Sequence, residues 1–113
     1  MIVARVKRHH RLETGESQTV RFEGRDFASP VSMFLSRKDP GKGSGLHLHP
    51  YRETWVVQRG EAEFTVGKER IRATAGDIVV APADVPHRFL NVGSDRLEII
   101  CIHPSDTIWQ QDL

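Results

Sequence analysis

An all-β fold of many short strands is what this sequence predicts, on three observations. Extended, apolar-rich runs recur roughly every ten residues. Gly, Pro, Asp and Asn break them at nearly every interval. No stretch of about 12 residues carries the 3.6-residue apolar period of an amphipathic helix. Short strands at regular spacing, with turn chemistry between them, favour a sandwich, a barrel or a jelly roll. The 113 residues amount to one ordinary domain with a modest core.

The elements follow in chain order. Residues 2–6, Ile-Val-Ala-Arg-Val, are extended in character, and the basic run from Arg5 to Arg11 overlaps them. Within that run His9 and His10 have no partner pattern and read as surface residues. Candidate strands then fall at 19–22, 31–36, 46–49, 54–58, 62–66, 69–73, 77–81, 87–91 and 97–103. The turns between them are Pro40-Gly41 with Gly43-Ser44-Gly45, then Arg59-Gly60, Gly67-Lys68, Ala75-Gly76-Asp77, and the loop from Asn91 to Asp95. Because side chains two apart on a strand point the same way, His47 and His49 share a face. So do Glu53, Trp55 and Val57 if their strand begins at Glu53, and so do His87, Phe89 and Asn91. The last ten residues contain Ile108 and Trp109, which are expected to pack back onto the domain or onto a partner subunit.

Composition narrows the function classes. With 38% hydrophobic and 27% charged residues the chain has the make-up of a soluble globular protein, and no apolar run approaches the roughly 18 residues that span a bilayer. Net charge is +1, with 16 Lys and Arg interleaved among 15 Asp and Glu, so a basic nucleic-acid-binding surface is not expected. One cysteine, Cys101, excludes an internal disulfide and a cysteine-based zinc cage. The first residues lack the apolar core of a secretory signal, which makes the cytoplasm the expected location.

The chemistry concentrates in His47-Leu48-His49-Pro50-Tyr51-Arg52-Glu53. Two histidines at i and i+2 project to one side of a strand, and a glutamate after a three-residue bend can swing in beside them on the next strand. Imidazole nitrogens with a carboxylate suit Fe, Mn, Ni, Cu, Zn or Co. A set of three His and one Glu also leaves open coordination positions, where a substrate binds.

These residues carry a family resemblance. Gly41-x5-His47-x-His49-x3-Glu53-x6-Gly60 is similar to the first cupin motif at every fixed position, and Gly76-x5-Pro82-x-Asp84-x2-His87-x3-Asn91 resembles the second with one departure. Asp84 stands where the family has glycine, and aspartate is among the few residues that tolerate the positive φ such a turn can require. The resemblance implies a cupin-type double-stranded β-helix, a jelly-roll β-barrel. It implies one domain over 1–113: an N-terminal strand segment 1–36, the first motif 41–60, the second 76–91, and a C-terminal strand and tail 97–113. By the same resemblance His47, His49, Glu53 and His87 are the ligands of one divalent metal ion, and Gly41, Gly60, Gly76, Pro82 and Asn91 are structural. A homodimer is implied too, in which the N-terminal segment can exchange onto a neighbour's sheet edge.

The cupin fold serves dioxygenases, decarboxylases, isomerases, epimerases and ligand sensors without turnover, so the fold does not choose the reaction. Oxygenase-type chemistry on a small chelating substrate needs no obligatory protein base and is the leading expectation. The alternatives are a metal-dependent isomerase or decarboxylase, and a non-catalytic small-molecule or metal-binding module. His103, on an apolar strand two positions from Cys101, is the one further candidate for an acid or base. Trp55, Phe89 and Tyr51 are the candidate pocket residues, with Arg52 beside them in the bend.

Overall fold

In the computed structural model, residues 4–8 and 17–113 are described. The strands are β1 (Ser17–Phe22), β2 (Ser32–Lys38), β3 (His47–Leu48), β4 (Glu53–Arg59), β5 (Glu61–Val66), β6 (Glu69–Thr74), β7 (Ile78–Ala81), β8 (His87–Asn91), β9 (Leu97–His103) and β10 (Gln111–Asp112). They form two 5-stranded sheets, one ordered β1-β2-β9-β4-β7 and the other β10-β3-β8-β5-β6. Every pairing is antiparallel. This is the double-sheeted jelly roll that the motifs imply.

Period-2 alternation builds the core. In β4, β5, β8 and β9 every second residue is buried, so each strand gives one row of side chains to the space between the sheets. Trp55, Val57, Phe64, Leu97, Ile99 and Cys101 fill its centre, with Phe89 and Ala81 beside them. The same alternation carries Glu53, His87, Asn91 and His103 inward, and these four are buried polar side chains within an apolar shell. Such groups need partners, and the partners define the site.

All nine expected strands form, with ends shifted by one or two residues. The strand expected over 46–49 shortens to His47–Leu48, because Pro50 has no N–H to extend a ladder and the His49 carbonyl instead accepts the Asp84 N–H at 2.8 Å. Two elements were not anticipated: a single 3₁₀ turn at Gly24–Phe27, and β10, whose two polar residues carry no strand signal of their own. Residues 4–8 are exposed and form no strand. The rest of the expected N-terminal exchange segment, Met1 to Val3, lies outside the described residues, as do His9, His10 and Arg11.

Two turns of the motifs adopt positive φ. Asp84, in the glycine position of the second motif, has φ 61°. Gly60 has φ +86°, and a Cβ there would lie 2.7 Å from the Arg96 carbonyl oxygen, so the β4–β5 turn excludes any side chain. Asn91 ties the following loop to the barrel. Its side-chain amide donates to the carbonyls of Lys38 and Asp95, both at 2.9 Å, and its oxygen accepts the Gly93 N–H at 2.9 Å.

Replacing Asn91 with alanine removes all three of these part-buried hydrogen bonds. Asn91→Ala should therefore lower the unfolding free energy by about 3 kcal/mol, read from urea denaturation midpoints at unchanged m-value.

Candidate metal centre

Four side chains from three strands and one bend meet at one end of the barrel. His47 leads β3, His49 follows it at the bend, Glu53 opens β4 and His87 opens β8. His47 and His87 are direct cross-strand partners, which sets their rings 4.6 Å apart. One ligand atom from each of His47, His49, Glu53 and His87 lies within 4.8 Å of the others. Three are buried and His47 is half-buried, so the group opens to solvent on the His47 side.

The tautomers follow from the hydrogen bonds on the far side of each ring. Nδ1 of His47 meets the Gly45 carbonyl at 2.7 Å, Nδ1 of His49 meets the Trp109 carbonyl at 2.7 Å, and Nδ1 of His87 meets the Val85 carbonyl at 3.1 Å. A carbonyl only accepts, so each Nδ1 carries the proton and each neutral ring presents an Nε2 lone pair inward. Nε2 of His49 and of His87 lie 3.1 and 2.9 Å from Glu53 Oε1, yet neither makes an aligned hydrogen bond. Glu53 Oε1 is likewise without one. Lone pairs facing an anionic oxygen at such distances repel unless a proton or a cation lies between them. The buried N3O donor set therefore fits a divalent ion, and its residues could hold one.

Glu53 supplies the negative charge. Burial opposes its ionisation and the His103 imidazole beside Oε2 favours it, with the carboxyl's pKa far below the usual carboxylate range. Its second oxygen, Oε2, lies 3.1 Å from Nε2 of His103, whose own Nδ1 is 2.5 Å from the Tyr51 hydroxyl. Burial raises the Tyr51 pKa to about 12, so the phenol keeps its proton at physiological pH. Burial also lowers the pKa of His47, with the neighbouring His87 and His49 rings acting in the same direction.

A cavity of about 180 Å³ runs from this group to the surface. At roughly 30 Å³ per water it holds about six waters, room for a small molecule only. Phe34, Trp55, Phe89 and Cys101 form its apolar wall, and Thr19, Ser36, Ser44, Lys38, Gln110 and Asp112 bring polar groups to it. Trp55 and Phe89 line this cavity, together with His103. Tyr51 is placed differently: its ring stacks on His49 at 5.3 Å and 4°, behind the ligands rather than along the cavity. Arg52 is exposed. Lys38 escaped the sequence reading, although its alternation with buried Ser32 and Ser36 was a signal that it faces inward.

The model of the Cupin domain family matches residues 34–103, well over half of the chain. The chain belongs to the cupin family. Among curated relatives, this cupin is 33% identical over 75 residues to the xanthan biosynthesis protein XanB of Xanthomonas campestris pv. campestris, a match covering 66% of this chain and 16% of XanB. It is 29% identical over 77 residues to an uncharacterised Streptomyces coelicolor protein, covering 68% of this chain and 73% of that one. A third relative, the polyketide synthase CurC of Streptomyces cyaneus, is 33% identical over 69 residues, covering 60% of this chain and 45% of CurC. Among solved structures, Bacillus subtilis oxalate decarboxylase superposes with a TM-score of 0.81 at 22% identity, covering 93% of this cupin and 30% of that chain. Lactobacillus farciminis oxalate decarboxylase in a formate complex gives 0.79 at 23%, covering 90% and 32%. This cupin thus spans under a third of the decarboxylase chains and about a sixth of XanB, and the structural likeness establishes the fold.

Proton competition at the centre has a definite direction. The folded pKa of His47 lies below its ordinary 6.5, so the folded ring binds fewer protons than the unfolded one; its contribution is complete above 6.5 and drains as pH falls. Metal affinity should accordingly be nearly flat between about pH 7 and 8 and decline below about 6.5, as chelator-competition titrations with Mn²⁺ at stepped pH would show.

Proposed function

We propose that this cupin is a divalent-metal-dependent enzyme acting on a small chelating substrate, with oxygenase-type chemistry as the leading reaction class. The observation that carries the reading is the convergence of buried, unpartnered Nε2 and Oε1 atoms at the inner end of a small, mostly apolar cavity. A bound divalent ion would supply open coordination positions and either redox or Lewis-acid chemistry there. The chain's own residues do the rest. His47, His49, His87 and Glu53 hold the ion, Trp55, Phe89, Phe34 and Cys101 exclude water around the substrate, and Lys38 brings a cationic group to the same space. An apolar chamber beside a three-histidine, one-carboxylate site suits a chelating substrate together with O₂.

A second reading is favoured by one specific observation. His103 lies along the cavity with Nε2 lacking an aligned hydrogen bond, so a protein group able to carry a proton is within the chamber. Isomerase or decarboxylase chemistry would use such a group. The relatives named xanthan biosynthesis protein, polyketide synthase and oxalate decarboxylase act in different chemistries and do not choose between the two.

Anaerobically purified protein should retain close to one equivalent of divalent metal by mass spectrometry, and His47→Ala should lose it. The iron-loaded protein should then consume O₂ with a chelating diol, diketone or thiol in the screen. Solvent-deuterium incorporation or CO₂ release without O₂ uptake would select the second reading. Neither form of turnover, with metal retained, would leave a binding module.

We also propose a homodimer. Antiparallel sheets usually alternate apolar inward with polar outward, yet the outer face of the β1-β2-β9-β4-β7 sheet is apolar too. The strand registers align Leu35, Ile100, Val56 and Ile78 in one row, and Met33, Ile102, Thr54 and Val80 in the next. Leu35, Ile78 and Val80 are 43%, 65% and 51% exposed. A second copy of the same face is self-complementary to such rows under two-fold symmetry. Light scattering should report a dimer, and Ile78→Glu with Val80→Glu should convert it to a folded monomer; a wild-type monomer at micromolar concentration would dismiss the proposal.

A further inference from the structure

The His47 and His87 rings are oriented by carbonyls within the motifs, of Gly45 and Val85, but the His49 ring is oriented by a segment outside both. After β9 the chain turns back along residues 104–113 and lays β10 against β3, pairing Gln111 with Leu48 and Asp112 with His47. Buried Ile108 anchors it, its N–H donating to Glu23 Oε2 at 3.3 Å, and the Leu113 N–H donates to the Leu46 carbonyl at 3.0 Å. Between these anchors sits Trp109, whose indole side is exposed but whose peptide groups are both engaged. The Trp109 carbonyl accepts Nδ1–H of His49 at 2.7 Å, and the Trp109 N–H donates to the Tyr51 hydroxyl oxygen at 3.3 Å.

From that hydroxyl the arrangement continues to Glu53. Tyr51 Oη and His103 Nδ1 are 2.5 Å apart, and His103 Nε2 is 3.1 Å from Glu53 Oε2. An imidazole nitrogen facing a carboxylate oxygen must carry a proton to be attractive there. In neutral His103 that leaves Nδ1 as the acceptor of the Tyr51 O–H, while the Tyr51 oxygen receives the Trp109 N–H. One strap thus touches two ligands from two sides: His49 directly, and Glu53 through Tyr51 and His103. Glu53 Oε1 is left among the histidine rings, while Oε2 faces His103 Nε2 at 3.1 Å on the opposite side, a close contact without an aligned hydrogen bond.

We infer that the C-terminal strap 104–113, acting through the main chain of Trp109, and the Tyr51–His103 pair are positioning elements of the metal centre, fixing the His49 ring and the Glu53 carboxylate in their ligating orientations. The inference rests on the metal-binding reading above. Outer partners of this kind typically change metal affinity 10–100-fold when removed. Gln110 and Asp112 line the cavity, so the same strap also forms one wall of the substrate space.

The test compares the full chain with three variants: Tyr51→Phe, a truncation after residue 108, and Trp109→Ala, which keeps the peptide groups while removing the exposed indole. Each is titrated with Mn²⁺ against a competing chelator, and the electron paramagnetic resonance spectrum of the loaded protein is recorded. Tyr51→Phe and the truncation should each raise the Mn²⁺ Kd by roughly 10-fold or more and alter the zero-field splitting. Trp109→Ala should stay within about twofold of wild type with an unchanged spectrum, because its side chain contributes no orienting bond. Wild-type affinity and spectrum in Tyr51→Phe would overturn the inference. A loss in Trp109→Ala as large as in the truncation would also overturn it, by assigning the effect to the indole. If the truncated chain fails to fold by circular dichroism, Tyr51→Phe against Trp109→Ala decides alone. Failure of the underlying reading looks different: the wild-type chain and His47→Ala would then bind Mn²⁺ equally poorly.

Discussion

One buried carboxylate constrains the rest of this structure. Glu53 is 2% exposed and ionised at the inner end of the barrel cavity. An uncompensated charge in such a place costs several kcal/mol, and removing one partner of a buried ion pair typically costs about 3–5 kcal/mol. The fold sets the His103 imidazole 3.1 Å from Oε2, at the end of β9, and turns Oε1 toward Nε2 of His49 and of His87 at 3.1 and 2.9 Å, the side on which a cation would offset the charge. His103 reaches Glu53 from the neighbouring strand of the same sheet, whereas His87 belongs to the other sheet, so the two sheets must close face to face before it can reach the carboxylate. Closing the barrel therefore completes the centre.

The same demand explains the divided character of the core. Toward the centre of the sandwich Val57, Phe64, Leu97 and Ile99 pack without polar atoms, whereas the ligand end gathers the buried polar side chains His49, Glu53, His87 and His103, with the rings of Trp55 and Phe34 set against two of the histidines. Trp55 bridges the two zones, tilted against Phe64 at 4.7 Å and edge-on to His87 at 4.9 Å. Aromatic rings in these arrangements are polarisable walls that fix imidazole orientation without competing for its nitrogens. A rigid apolar floor holds ring orientations far more tightly than a solvated loop, which is what a preorganised ligand set requires.

Much of this was legible in the sequence because its cues are local. The i, i+2 histidines, the bend from His49 to Glu53 and the burial of His87, Phe89 and Asn91 all follow from strand periodicity over a few residues. Even the departure at Asp84 could be read, since a positive φ leaves few residue choices and the chain adopts φ 61° there. What stayed hidden depends on tertiary closure. His103 pairs with Tyr51 across 52 positions, and the Trp109 carbonyl meets His49 across 60, with nothing in the intervening residues to announce either contact. The strap was harder still, because its bonds to the centre run through peptide groups, which any sequence possesses. β10 is held by register with β3 rather than by propensity, so Gln-Asp looks no different from an ordinary polar tail.

That division also accounts for why the motifs announce a metal more clearly than a reaction. The motif residues make the ligand cage and its turns, while the relatives carry names as different as xanthan biosynthesis protein, polyketide synthase and oxalate decarboxylase. The groups that distinguish this cavity lie outside those fixed positions: Thr19 on β1, Ser36 and Lys38 on β2, and Gln110 and Asp112 in the strap. Thr19, Gln110 and Asp112 fall beyond residues 34–103, the part of the chain that the family model matches. The cavity has the ligand cage at its inner end and these groups along its sides. Under the proposed function, β1, β2 and the strap would shape the space that a substrate enters, since a fold does not fix its chemistry. In this cupin the strap has both duties, since the peptide that orients His49 is joined directly to Gln110 in the cavity wall. Changes that reshape the substrate wall there act on the same short segment that aims a metal ligand, so substrate fit and metal geometry are not independently adjustable at this end of the barrel.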